Sequence, residues 1–154
     1  MPDQSEYFSE EGLAKLKQEL EDRKTKVRQE IAQRLEYAKS LGDLSENSEY
    51  QEAKESQMLN EAKIAELEDT LRRAVLVHKS AQVDVVEIGS QVVIEAGSGN
   101  LSFSIVGANE ASPAEQKISH ESPIGAALMG HRKGDKVPVH TPKGEVIYKI
   151  IDVA

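Results

Sequence analysis

Gly42-Asp43-Leu44-Ser45-Glu46-Asn47-Ser48-Glu49-Tyr50 interrupts two runs of charged, helix-favouring sequence, each of roughly 30 residues. It holds the only Gly between Gly12 and Gly89. Gly is the residue that most readily takes the left-handed conformation closing a helix, so Leu41-Gly42 reads as the end of one helix. Asp43 or Ser45 then reads as the N-cap of the next. If both helices form, the chain reverses here and presents Asp43 and Glu46 at the end of a rod. Their D-x-x-E spacing is that of a capping box, and acids are favoured in a first helical turn. The same spacing sets two carboxylates facing one way, able to share a hard cation such as Mg²⁺. Spacing alone does not choose between the two.

Outward from the turn, both runs carry one apolar stripe. Upstream, after a helix start at Tyr7-Phe8-Ser9-Glu10-Glu11, the stripe is Leu13, Leu16, Leu20, Val27, Ile31, Leu35 and Ala38, with a polar gap at Arg23 and Lys24. Downstream it is Ala53, Gln57, Asn60, Ile64, Leu67, Leu71 and Ala74, in alternating steps of four and three. Two such helices joined by a short turn predict an antiparallel coiled coil, about 45 Å long at 1.5 Å per residue. Ala38 and Ala53 near the turn would keep the rod thin. A rod of this kind encloses no enzyme pocket; it suits reaching into a partner or dimerising.

Basic residues gather on the first helix at Arg23, Lys24, Lys26 and Arg28, with Arg34 further on. One reading is a solvated face paired with the many acids. The other is a weak, salt-sensitive contact with nucleic-acid phosphates.

Near residue 77 the chain changes character. Eight of ten Gly and four of five Pro lie beyond Leu76. Strand-like runs follow at 83–86, 91–95, 101–106, 136–140 and 146–151. Turn signals at 97–100 and 141–144 predict two hairpins, and Pro123 to Met129 predicts one short helix ended by Gly130. The expected fold class is α+β: an N-terminal antiparallel helical hairpin over 1–76, a linker at 77–80, and a small antiparallel sheet with one short helix over 81–154.

Composition narrows the function. A net charge of −8 argues against wrapping duplex DNA. There is no Cys, hence no disulfide framework or thiolate metal site. No apolar run approaches a membrane span and no signal peptide is visible, so a soluble cytoplasmic chain is expected. His78, His120, His131 and His140 show no metal-ligand spacing and read as surface or sheet-edge residues.

Five blocks, in order, resemble the GreA/GreB family of bacterial transcript cleavage factors. They are Glu11-Gly12-Leu13-x-x-Leu16, Gly42 to Tyr50, Ser122 to Gly130, Gly134-Asp135-x-Val137, and Thr141-Pro142-x-Gly144-Glu145. The resemblance covers nearly the whole chain, with Ser48 where the family usually has Ala. It implies a coiled coil followed by an FKBP-like domain. It implies RNA polymerase as partner, at the rim of its secondary channel and at its active centre, together with the 3′ end of backtracked RNA. Asp43 and Glu46 would be the catalytic and metal-holding pair, sharing a Mg²⁺ only within the polymerase complex, with no cofactor in isolation. The polymerase would cleave its own transcript, so the chain is not itself an enzyme. Lys54 would join Arg23, Lys24, Lys26 and Arg28 near the RNA. Ser122, Pro123 and Ile124 would touch the polymerase rim, or simply start a helix inside the domain. No membrane is implied, and a monomer is expected. The modest basic cluster resembles the GreA branch more than the strongly basic GreB branch. Three other readings remain. A channel-occupying regulator that does not cleave would be expected to alter the tip acids. A prolyl isomerase would need an aromatic-lined pocket, for which the second half offers Phe103 and Tyr148. A plain coiled-coil adaptor would want a stronger seam near the turn.

Overall fold

The computed structural model describes residues 4–43, 46–78, 84–97 and 99–154. They form two compact units: Ala14–Arg73, and the segment up to Leu13 together with Ala74–Ala154.

In the first unit, helix α1 (Glu10–Asp22, begun in the other unit) runs through a π-helical turn at Arg23–Val27 into α2 (Arg28–Ser40). After the turn at Gly42, α3 (Ser48–Arg73) returns antiparallel to α2. The expected seam is real. Ile31, Ala38, Ala53, Ile64 and Leu67 are all buried, with Ala38 and Ala53 the most enclosed, so the helices approach closely near the turn.

Two details differ from expectation. The first helix is not regular throughout: the π-turn falls on the polar gap at Arg23 and Lys24, where no apolar residue holds the seam in register. Asn60, buried in the seam, meets this irregularity. Its Nδ2 donates to the Arg23 carbonyl at 3.1 Å, and its Oδ1 accepts from Arg23 Nη1 at 3.3 Å. A polar group this enclosed would be costly without partners, and here it has two. Ala74, expected at the end of the seam, instead begins a strand.

In the second unit, β1 (Glu6–Phe8) pairs in parallel with β2 (Ala74–Leu76), bringing Phe8 opposite Leu76 and burying it. The main sheet has five strands: β3 (Gln91–Ala96), β4 (Gly99–Val106), β5 (Lys117–Ser119), β6 (Lys136–Thr141) and β7 (Gly144–Val153), in the order β5-β4-β3-β7-β6. Both expected hairpins form, β3 with β4 and β6 with β7. The sheet is antiparallel except at its β5 edge, which pairs in parallel with β4. The strand expected at 83–86 is reduced, among its described residues, to a single bridge from Val85 to Arg132.

Helix α4 (Pro123–Leu128) lies where expected, and its Leu128 is fully buried against Val92, Ile94, Ile105, Val137 and Ile150. Each such side chain contributes about 1.5–3 kcal/mol by leaving water. Beside this core, Ser9 starts α1 as anticipated, donating its backbone N–H and its hydroxyl to the Glu110 carboxylate at 2.9 and 2.6 Å. Gly12 and Gly107 allow this approach: a Cβ at Gly107 would lie 1.7 Å from the Tyr7 carbonyl oxygen.

Candidate functional site

The turn between α2 and α3 carries the candidate acids. Helix α2 closes with Leu41 N–H bonded to the Ala38 carbonyl and Gly42 N–H to that of Lys39, and Gly42 takes φ 116°, as its lack of a side chain permits. Asp43 and Glu46 are both exposed. Leu44 and Ser45 lie outside the described residues, and with them the expectation that Ser45 caps the next helix. Among the described residues the cap of α3 is Asn47, not Asp43: its Oδ1 accepts from Tyr50 N–H at 3.2 Å. Asn47 also donates from Nδ2 to the Ala38 carbonyl at 2.6 Å. One amide side chain therefore starts α3 and ties it to the last turn of α2, pinning both sides of the loop. The clue lay within the quoted stretch, since Asn is among the best N-caps and a helical run follows it directly.

The basic cluster is mostly matched by carboxylates. Arg28 donates from Nε and Nη2 to the two oxygens of Glu61 at 2.8 and 2.9 Å. Lys24 reaches Glu68 at 2.5 Å, also across the hairpin. The Arg28 guanidinium, through its hydrogen bonds, holds the Glu61 carboxyl below its ordinary range, and Lys24 does the same to Glu68. Arg23 pairs with Glu19 and Lys26 with Asp22, each within one helical turn. Lys54 sits over the Tyr50 ring, 5.9 Å from its centre. Four of the five cations are thus held by acids, and the structure brings them together as rungs and rails of the hairpin.

Ser122, Pro123 and Ile124 start α4. Ser122 Oγ accepts from Gly125 N–H at 3.1 Å and donates to the Ser119 carbonyl at 2.6 Å. Pro123 occupies the first helical position, and Ile124 packs against the core. Of the three, only Pro123 is exposed. Among the histidines, His120 departs most from a plain surface residue: its ring meets Tyr7 edge-on at 5.6 Å. In the same unit the Arg132 backbone N–H, with His131 beside it, holds the Asp135 carboxyl below its usual range.

Among the described residues, no helix is long and apolar enough to cross a membrane. No group of three or more His, Asp or Glu among them could hold a metal ion.

Comparison with known proteins places the chain. Residues 6–76 match the family described as transcription elongation factor, N-terminal, and residues 80–154 match transcription elongation factor, GreA/GreB, C-term. The transcription elongation factor GreA of Acetivibrio thermocellus is 47% identical over 146 residues, spanning 93% of this chain and 92% of its own. That of Roseiflexus sp. is 44% identical over 156 residues, 99% of each. A solved structure, GreA factor homolog 1 of Thermus thermophilus, is 33% identical and covers 98% of this chain and 99% of its own, with a TM-score of 0.44. With both halves matched and relatives this similar end to end, the chain belongs to the GreA/GreB family of transcription elongation factors.

Proposed function

We propose that the chain stimulates cleavage of backtracked RNA by RNA polymerase, entering the secondary channel with its helical hairpin and bringing Asp43 and Glu46 to the active centre. The observation that carries this reading is the exposure of both acids on a turn that Asn47 braces from two sides. A braced turn holds its side chains in place at little further entropic cost when they meet a partner.

The two carboxylates fit a shared Mg²⁺ but not one of their own. Mg²⁺ takes six oxygens and is commonly held through one or two carboxylates plus waters and phosphate oxygens, so the remaining positions belong to the polymerase and its substrate. Such an ion would polarise a phosphoryl oxygen and make its bound water a better nucleophile. The chain's own part is to supply negative oxygens and to orient water by accepting its hydrogen bonds. The chemistry stays with the polymerase. Lys24 and Arg28 would aid an RNA contact only by exchanging Glu68 and Glu61 for phosphates, which agrees with a weak, salt-sensitive role. Ser122, Pro123 and Ile124 contribute to rim binding chiefly through exposed Pro123. We assign the sheet unit to the FKBP-like class on its curved five-stranded sheet with one short helix packed on the core.

The test is a stalled, backtracked elongation complex carrying a 5′-labelled transcript. The chain should shorten the RNA from its 3′ end. Asp43→Ala and Glu46→Ala should abolish this while binding to polymerase persists. A double variant that cleaves as well as the parent would refute the assignment.

A further inference from the structure

We infer that the outer face of the five-stranded sheet docks an acidic protein segment that carries an apolar side chain. This surface is separate from the turn and lies on the opposite face of the sheet from α4.

Strand alternation gives the sheet two unlike faces. Val137, Tyr148 and Ile150 face the core, with Val137 and Ile150 buried in the same cluster as Leu128. Lys136, Pro138, Ile147 and Lys149 alternate with them along β6 and β7, and so take the other face. All four are exposed, Ile147 to 63%. A shallow depression of about 450 Å³ opens there, lined by Glu95, Gly97, Lys136, Ile147 and Lys149.

The register sets its charge. Lys136 and Lys149 are direct partners across β6 and β7, and Pro138 and Ile147 form the next outward row. Like charges placed directly opposite destabilise a sheet. Nearby cations have carboxylates: Lys133 lies 3.7 Å from Asp152, and His140 lies 3.8 Å from Glu145. Lys136 and Lys149 have no carboxylate within ion-pair distance among the described residues. Glu95, partner of Lys149 across β3 and β7, is the one carboxylate among the lining residues, so the two cations outnumber it. The sheet therefore carries a repulsion that a bound anion would relieve.

The neighbouring groups decide which anion fits. An apolar row beside two cations matches a carboxylate followed by an apolar side chain, the pairing of apolar centre and polar rim found in protein interfaces. Single-stranded nucleic acid would want a ring for its bases, and no lining residue is aromatic, while Glu95 would repel phosphates. Simple strand addition is also disfavoured. β6 is an edge strand, but Pro138 has no N–H to donate to a newcomer. Recognition falls to the side chains.

The test titrates the isotope-labelled full chain with the capped peptide Glu-Glu-Leu-Glu-Glu, and separately with Glu-Glu-Ser-Glu-Glu and a single-stranded RNA pentamer. The Leu peptide should shift the backbone amide resonances of Lys136, Ile147 and Lys149. The double variant Lys136→Ala with Lys149→Ala should weaken its binding about tenfold, as the loss of two partly exposed ion pairs predicts. Ile147→Ser should weaken it about fivefold. Lys136→Glu should abolish binding and raise the melting temperature of the chain, because it turns a repulsive cross-strand pair into an attractive one. No shift at these three residues would overturn the proposal. Equal binding of the Ser peptide would reduce the surface to a bare charge, and tighter binding of RNA would make it a phosphate surface; either result refutes it. A melting temperature that Lys136→Glu leaves unchanged or lowers would show no repulsion to relieve and would likewise overturn it.

Discussion

The helical hairpin and the sheet unit solve the same problem, holding a small chain in one shape, by different means. In the sheet unit, ten buried apolar side chains meet in one cluster, and Ile94, Ile105 and Leu128 are wholly enclosed. In the hairpin the seam is one side chain deep. Its tightest contacts are the alanines Ala38 and Ala53, it contains a buried Asn, and its outer rungs are exposed ion pairs. A thick core stabilises through volume and punishes any void. A thin seam spreads its stability along its length and leaves both flanks open to a partner. The hairpin therefore gives up burial for reach.

The largest effect expected from this contrast is in the core. Leu128→Ala should lower the stability of the sheet unit by about 2–5 kcal/mol in denaturant unfolding. Ile64→Ala in the seam should fall at the low end of that range, because two helices can close on the space more easily than a sheet can. A seam variant costing more than the core variant would break the comparison. Next comes Asn60→Ala, which strips the Arg23 carbonyl of its partner inside the seam and should cost about 1–3 kcal/mol. If water entry made the change neutral, the π-turn would be held by something other than Asn60.

The smallest effect concerns the ion pairs, and its sign follows from the acids. Arg28 and Lys24 depress the Glu61 and Glu68 carboxyls in the folded chain. The stability they contribute is present above the unfolded carboxyl value and is lost as pH falls through the lowered folded one. Thermal unfolding of the hairpin should therefore be level above about pH 5 and decline below it. Glu61→Gln with Glu68→Gln should shrink that decline, and added salt should mask the difference. An identical acid limb in the double variant would show that these pairs contribute nothing.

Much of this molecule is readable from residue order. The two stripes announced a helical hairpin, and the buried set Ile31, Ala38, Ala53, Ile64 and Leu67 belongs to them. Ser9 and Ser122 start helices as their positions suggest, and the two strand pairs expected, β3 with β4 and β6 with β7, form. At the turn itself the reversal and the exposure of Asp43 and Glu46 were readable, but the cap was not. Asp43, Ser45 and Asn47 all suit a cap by residue type, and it is the bond from Tyr50 N–H that marks Asn47. The basic cluster was ambiguous for a similar reason. Whether Lys24 and Arg28 meet solvent, RNA or acids depends on which residues α3 places opposite them.

Periodicity and turn chemistry act over a few residues, so the residue order settled the helices, the hairpins, the seam and the place where the chain reverses. Contacts between distant segments leave no such local mark. The three-residue strand at Glu6–Phe8 finds its partner at Ala74–Leu76, and Glu110 braces Ser9 from a hundred residues away. The parallel edge at β5 and the Asn60 bond across the π-turn arise the same way. Each depends on which surfaces the folded chain brings face to face, and that is decided only when the whole chain packs.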